Sequence, residues 1–226
     1  MMKSPSLEVM ETKGPIIGPD VEEGLIEFDG QDFYCIPDVG RIPPFLMSII
    51  SDGDRWMFVS SSGGLTAGRQ TSEHALFPYE TDDRLHEAGR KVGPITSLRV
   101  DGIGGIWKPF HCEASADGGR RLAKATTGDA VLFEEDHPTI PLTFSYRWSS
   151  CERYGFVRRS RLTNRSEEEI RLSVVDGVIN VLPSGVDPGL DMGLRNLTNA
   201  YKRSELVSKK KPACGVLDGI ASERPS

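Results

Sequence analysis

The sequence has few cysteines and none of the paired spacings that bind metals. Its four cysteines are far apart, and no Cys-x-x-Cys pair occurs among Cys35, Cys112, Cys151 and Cys214. A cysteine zinc site and a thioredoxin-type redox site both need such a pair. The four histidines lack ligand spacing as well. We therefore predict reduced structural thiols, no metal site and no cofactor.

An excess of positive charge and long apolar runs are also missing. The formal net charge is -6 at pH 7, and a nucleic-acid binder needs a clustered positive surface. The two basic runs, 158–161 and 209–211, are interpreted as solvated surface. No run approaches the ~18 apolar residues of a membrane span, and residues 1–10 lack the apolar core of a signal peptide. The sequence predicts a cytoplasmic protein that binds neither nucleic acid nor membrane.

Catalytic signatures are absent too. The glycines within 102–105 lack the spacing of a dinucleotide loop, and no Gly-x-Ser-x-Gly elbow occurs. Glycoside hydrolysis needs two carboxyl groups that face one bond. Glu134 and Glu135 are adjacent on a predicted strand and point to opposite faces. We predict that these acids and Asp136 are solvated, and we assign no catalytic residue.

The chain is rich in turn residues and in short apolar runs. It contains 24 glycines and 15 prolines, and the spacing of the runs is typical of an antiparallel β-sandwich. The clearest strand is 142–148, in which one face is predicted to form the core: Leu142, Phe144, Tyr146 and Trp148. The other face, with Thr143, Ser145 and Arg147, is predicted to be wet. Residues 1–28 are predicted to be an extended lead-in that adds an edge strand. Residues 29–226 are predicted to form one mainly β domain, incomplete at its carboxyl end, with a short helix within 188–205.

A polar turn at 163–166 separates two β-rich runs, and the pattern over 155–177 predicts a β-hairpin. The sequence of residues 156–176, together with residues 56–61 and 63–66, resembles the amino-terminal region of cellobiose-phosphorylase-like proteins, which are the inverting glycoside phosphorylases and their relatives. The resemblance implies an antiparallel β-supersandwich of the galactose-mutarotase type. It also implies a non-catalytic role beside a helical catalytic barrel that this chain lacks, carbohydrate as a ligand, and contacts within a homodimer.

The segment 61–83 is predicted to be a long, irregular loop, and loops of that length are often functional. It is our candidate for contact with sugar. Its planar polar groups can bind the hydroxyls of a sugar, and its aromatic ring can stack on a pyranose. The candidate residues are Arg69, His74, Tyr79, Asp82 and Asp83.

Two other functions remain open at the level of the sequence. A mutarotase-like enzyme requires Glu134 to converge with a histidine in one pocket, the candidates being His74, His86 and His111. A carbohydrate-binding or assembly module requires an exposed aromatic platform and predicts binding without turnover.

Overall fold

The computed structural model describes residues 15–51, 53–79, 81, 84–86, 92–110, 119–152 and 155–182, and the backbone of 202–208 and 211–217. Fourteen strands lie in these ranges: β1 (Gly24–Phe28), β2 (Gln31–Ile36), β3 (Leu46–Ile49), β4 (Arg55–Ser60), β5 (Leu65–Arg69), β6 (Ala75–Phe77), β7 (Gly93–Val100), β8 (Arg120–Ala125), β9 (Ala130–Asp136), β10 (Leu142–Cys151), β11 (Gly155–Asn164), β12 (Leu172–Ile179), β13 (Lys202–Ser208) and β14 (Lys211–Leu217). Two 3-10 turns, Val39–Arg41 and Ser72–His74, and a helical turn at 84–86 connect them.

The core lies between two antiparallel sheets. The larger sheet has the order β1-β2-β8-β9-β10-β11, and the smaller has the order β3-β4-β5-β6. Met57 and Leu65 of the smaller sheet belong to the same buried cluster as Phe133 and Tyr146 of the larger one. Burial of these apolar side chains is the main force that holds the sheets together. The mainly β, antiparallel sandwich predicted from the sequence is confirmed.

Strand β10 confirms the prediction of an apolar core face. Leu142, Phe144, Tyr146 and Trp148 are between 1% and 4% exposed. The opposite face was predicted to be wet, and that prediction is wrong for Thr143 and Ser145, which are 1% and 2% exposed. A second layer therefore covers the outer face of the larger sheet.

That layer is the described part of the lead-in. Ile16, Ile17 and Val21 pack on a second buried cluster that includes Phe33 and Cys35. Residues 24–28 then form β1, the edge strand of the larger sheet. Burial under this layer raises the pKa of the Cys35 thiol to about 11, so the thiol is protonated and inert at neutral pH.

The predicted hairpin over 155–177 is wrong. Its two halves are strands, but β11 pairs with β10 and β12 pairs with β7. The connection at 165–171 therefore leads from one sheet to another. Asn164 stabilises it locally, since its Oδ1 accepts hydrogen bonds from the Ser166 amide at 3.0 Å and the Ser166 hydroxyl at 2.7 Å. A polar turn between two strands fixes a change of direction and does not fix the pairing partner.

Strands β13 and β14 pair only with each other among the described residues. Most of the predicted helix within 188–205 lies outside the described residues, but its last part, from Lys202 on, is in β13. No helix in the described part of the chain is long and apolar enough to cross a membrane.

Candidate functional site

The predicted loop 61–83 is largely regular structure. It contains β5, the 3-10 turn Ser72–His74 and β6, so the prediction of a long irregular loop is wrong. In β4 and β5 the side chains alternate between the core and the outer face of the smaller sheet. The residues that face the core are Met57, Val59, Leu65 and Ala67. The residues between them, which lie on the outer face, are Trp56, Phe58, Thr66 and Gly68. Arg69 alternates with Gly68, so it lies at the end of β5 on the side of Leu65 and Ala67 and not on the outer face. His74 ends the 3-10 turn before β6, and Tyr79 follows β6.

The predicted site residues do not converge on one point. Arg69 is 60% exposed and reaches Asp54 across 3.5 Å. The exposed His74 ring contacts the Thr71 hydroxyl at 3.2 Å through Nδ1. Tyr79 is 52% exposed and contacts the ring of Trp56. Asp82 and Asp83 lie outside the described residues.

Three aromatic rings meet on the outer face of the smaller sheet, and we call Trp56, Phe58 and Tyr79 the aromatic corner. The Tyr79 ring stands at 79° to the indole of Trp56, with centroids 6.0 Å apart. The Phe58 ring lies 6.3 Å from the indole and is tilted by 36°. Phe58 is 38% exposed and Trp56 is partly exposed. The corner thus offers solvent an aromatic floor and a perpendicular wall.

Gly68 allows the indole to lie flat on the sheet. It is the cross-strand partner of Trp56. A Cβ at Gly68 would overlap the indole ring and would come within 2.8 Å of the His74 carbonyl oxygen. Trp56 and Phe58 were not predicted as site residues from the sequence. The available signal was their i, i+2 spacing in a strand, which places both rings on one face.

We expect Gly68→Ala to lower the free energy of unfolding by about 1–3 kcal/mol, because the added methyl group overpacks against Trp56 and a backbone carbonyl. Urea unfolding measures this. The matched control is Gly177→Ala, also in a strand, where a Cβ meets nothing within 4 Å. Equal stability of the two variants would show that the indole does not lie on Gly68.

A serine and a histidine lie within hydrogen-bonding distance beside the corner. The Ser60 hydroxyl lies 2.8 Å from Nδ1 of His86 and 2.8 Å from the Ser62 hydroxyl. Such a pair can activate a nucleophile when substrate reaches it. Ser60 is 0% exposed, whereas His86 is partly exposed. The serine is therefore covered, and its contact with His86 holds the helical turn at 84–86 against the sheet.

Glu134 is the centre of a buried ionic cluster. Its carboxylate accepts hydrogen bonds from the amides of Ile16, Ile17 and Gly18 at 2.8–3.2 Å and from the guanidinium of Arg121 at 3.1–3.2 Å. Glu134 is 0% exposed. With five donors on its two oxygens, it is not available as a base for a substrate.

The two acids that follow Glu134 are also paired, so the prediction that this acidic run is solvated is wrong. Glu135 binds Arg120 at 2.6 Å on the opposite face of the sheet. Asp136 binds Arg121 at 2.7 Å. Burial raises the pKa of Asp136, but hydrogen bonds from Arg121 and Thr143 outweigh burial and leave the pKa below its ordinary value. The alternation of Glu134 and Glu135 across the strand is as predicted.

Other depressions on the surface suit a sugar less well. A cavity of about 50 Å³ beside Gly63 and Tyr146 has room for one or two water molecules. A groove of about 460 Å³ contains Arg55 and Asp129, but Arg55 already donates to the carbonyl oxygens of Cys151 and Glu152, and Asp129 accepts from Thr127 and Gln31. A third groove, of about 510 Å³, is lined largely by aliphatic and acidic residues.

Within the described ranges no cluster of three or more metal-ligating side chains occurs. No protein-family model matches the chain, and no curated protein matches it.

Proposed function

We propose that this chain is a non-catalytic β-sandwich domain that binds carbohydrate at the aromatic corner. Because its sequence resembles the cellobiose-phosphorylase-like proteins, we also propose that this domain is part of a similar carbohydrate-active enzyme. In that enzyme a separate helical barrel carries out catalysis. The corner is the observation that carries the proposal.

The chemistry of a pyranose explains the choice of ligand. One face of the ring presents C–H groups, which pack on an aromatic surface, while the hydroxyls at its rim need polar partners. Trp56 supplies the flat surface and Tyr79 supplies a wall with a hydroxyl group. A floor of one indole suits one sugar ring.

The ion pairs made by the acidic side chains of β9 support a role in binding without catalysis. Glu134, Glu135 and Asp136 are each held by an arginine. The hydroxyl of Ser60, which contacts His86, belongs to a residue that is 0% exposed. A mutarotase reaction would therefore need a base other than Glu134.

Trp56→Ala is expected to weaken sugar binding by at least about tenfold, or 1.4 kcal/mol, because the stacking surface is removed. Titration calorimetry with a panel of mono- and disaccharides, with and without phosphate, measures the affinity, and proton NMR of the same sugars follows anomer exchange and cleavage. The control is Tyr34→Ala, which removes an exposed aromatic ring from β2 in the other sheet.

The outcomes separate the functional classes. Saturable binding that is lost in Trp56→Ala and kept in Tyr34→Ala supports the proposal. Anomer exchange or cleavage by the purified chain would contradict the non-catalytic role. Absence of binding for every sugar, or equal affinity of the two variants, would contradict the corner as a sugar site.

A further inference from the structure

The hydroxyl group of Tyr146 is buried beside a small cavity. Tyr146 is 2% exposed, and its hydroxyl oxygen has no hydrogen-bond partner among the described residues. Tyr146 and Gly63 both line the cavity, whose volume is about 50 Å³. A Cβ at Gly63 would lie 3.3 Å from the hydroxyl oxygen, so a glycine at this position leaves the hydroxyl open to the cavity. A buried hydroxyl group without an acceptor bears the full cost of its desolvation, and an acceptor bound in the cavity removes that cost.

The other two hydroxyl groups of the described lining are already used as donors. The Ser62 hydroxyl donates to the carbonyl oxygen of His86 at 2.8 Å, and the Thr96 hydroxyl donates to Asp176 at 2.6 Å. Burial raises the pKa of Tyr146, so its hydroxyl keeps its proton at neutral pH. Of the hydroxyl groups in the described lining, that of Tyr146 is therefore the one that can donate to a ligand.

The charge of the described lining is positive. Lys108, which is exposed, is the only charged residue among the described residues that line the cavity. Two acids act electrostatically on the phenol group, Glu135 and Asp176. Glu135 is bound by Arg120 at 2.6 Å. Asp176 is bound by Arg158 at 2.9 Å. Each acid is balanced by its own arginine, so an anion in the cavity meets the charge of Lys108.

The rest of the described wall is apolar, and one part of it has an unusual backbone conformation. The apolar side chains are Pro94, Ile95, Pro109, Phe110 and Ile179. Phe110 has a φ of 63°, which is costly for a bulky residue. Its amide donates to Glu135 at 2.8 Å, and its ring stands at 87° to the ring of Tyr146. Strained residues cluster at ligand sites, and this one packs against the phenol that faces the cavity.

We propose that the cavity binds the carboxylate group of a small monocarboxylic acid. The Tyr146 hydroxyl donates a hydrogen bond to one carboxylate oxygen, and the ammonium group of Lys108 balances the negative charge at the rim. Such a bond to an ionised acceptor is stronger than one between neutral groups. The volume of the cavity suits a carboxylate group, which takes the space of about two water molecules. The apolar wall suits the short hydrocarbon chain of the acid.

The number of donors decides against other anions. A phosphate group has three strong acceptor oxygens and close to two negative charges at neutral pH, and one hydroxyl group with one ammonium group does not satisfy them. A halide ion has no hydrocarbon part to pack on the apolar wall. The described lining shares no residue with the aromatic corner, so this site is independent of the proposed function.

A titration of the isotopically labelled chain with acetate, propionate or butyrate, followed by amide NMR at constant ionic strength, tests the proposal. We expect saturable shifts at the amides of Gly63 and Phe110 with at least one acid. Tyr146→Phe keeps the ring and removes the donor, so we expect it to weaken binding by at least about tenfold. It removes a hydroxyl that has no partner among the described residues, and urea unfolding should show that its stability is unchanged. Lys108→Gln, an exposed change, should also weaken binding.

Two matched variants serve as controls. Tyr34→Phe removes an exposed tyrosine hydroxyl from β2, and Arg99→Gln removes an exposed cation from β7 outside the described lining. Both should bind the acid like the parent chain. Absence of saturable binding for all three acids would leave the cavity as a site for water alone and would overturn the proposal. Equal affinity of either cavity variant and the parent, or binding of phosphate or chloride at the same amides as tightly as the acids, would overturn it as well.

Discussion

Replacing Glu134 with alanine is expected to lower the free energy of unfolding by about 3–5 kcal/mol. The change leaves the Arg121 guanidinium, whose side chain is 4% exposed, with one carboxylate in place of two. It also removes the acceptor of three backbone amides in the lead-in. A buried donor without an acceptor bears the full cost of its desolvation. Glu134→Gln keeps the shape and one carbonyl acceptor, so its loss should be smaller.

Two measurements check this expectation. Urea unfolding gives the free energy, and the reaction of Cys35 with a thiol reagent reports whether residues 16–18 still cover the outer face. Cys35 is 0% exposed in the cluster that Ile16 and Ile17 cover. We expect its rate of modification to rise in Glu134→Ala, measured in a background in which Cys112, Cys151 and Cys214 are replaced by serine.

The control for Glu134 is an exposed acid with one long contact. Asp54 has a side chain 36% exposed and meets Arg69 at 3.5 Å, and ion pairs of this kind contribute little to stability. Asp54→Ala should unfold like the parent chain. If Glu134→Ala did the same and Cys35 stayed protected, the cluster would not be what holds the lead-in on the sheet.

The second large effect is expected at Arg158, which joins β11 to β12. Its guanidinium binds Asp176 through two hydrogen bonds and Thr96 at 3.3 Å, and it lies 4.8 Å from the centre of the Tyr146 ring. The Arg158 side chain is 8% exposed. Arg158→Met keeps much of the packing but leaves Asp176 without its cation, so we expect a loss of about 3 kcal/mol at neutral pH.

The pH dependence identifies the cause of this loss. Burial raises the pKa of Asp176, but hydrogen bonds from Arg158 and Thr96 outweigh it and hold the pKa below 3.8. A carboxyl group with a lowered folded-state pKa stabilises the fold above its unfolded pKa, and the stabilisation is lost as pH falls through the folded value. In Arg158→Met the cation is missing, so only the parent chain has the full stabilisation by ionised Asp176. The difference in stability between parent and Arg158→Met should therefore be large at pH 7 and should narrow below about pH 3.8.

An exposed arginine serves as the control for this experiment. The pair of Arg171 and Glu169 has side chains 78% and 80% exposed, so Arg171→Met should leave stability unchanged at both pH values. A difference between Arg158→Met and the parent that stayed constant with pH would assign the loss to packing on Tyr146 instead of to the charge of Asp176.

The sequence predicted the core strand well and the strand pairing poorly. Alternation of apolar residues over 142–148 depends only on the local geometry of a strand, and the structure agrees with it. Pairing depends on which distant edge is free. The polar turn at 163–166 indicated a hairpin, yet β11 and β12 join different sheets, and β12 pairs with β7 at a distance of about 80 residues along the chain, as in the contact of Thr96 with Asp176.

The candidate site shows the same division. Tyr79 was identified from its surroundings in the chain, and it is exposed as a sugar-contacting ring must be. Trp56 and Phe58 come from β4, and Trp56 contacts Tyr79 because β4 and β6 pair with the two edges of β5, where Gly68 leaves room for the indole. His74 and Arg69 were close to Tyr79 in sequence but point to other partners.

The sequence by itself determined the class of fold, because strand periodicity, glycine and proline punctuation and apolar alternation act over a few residues. Only the tertiary structure decided that Glu134 is a buried anchor for the lead-in, that three rings form the aromatic corner, and that β12 pairs with β7. Each of these depends on cross-strand register and burial, which bring together residues from distant parts of the chain. The charge of an acid or the ring of an aromatic residue is written in the sequence, but its neighbours are not.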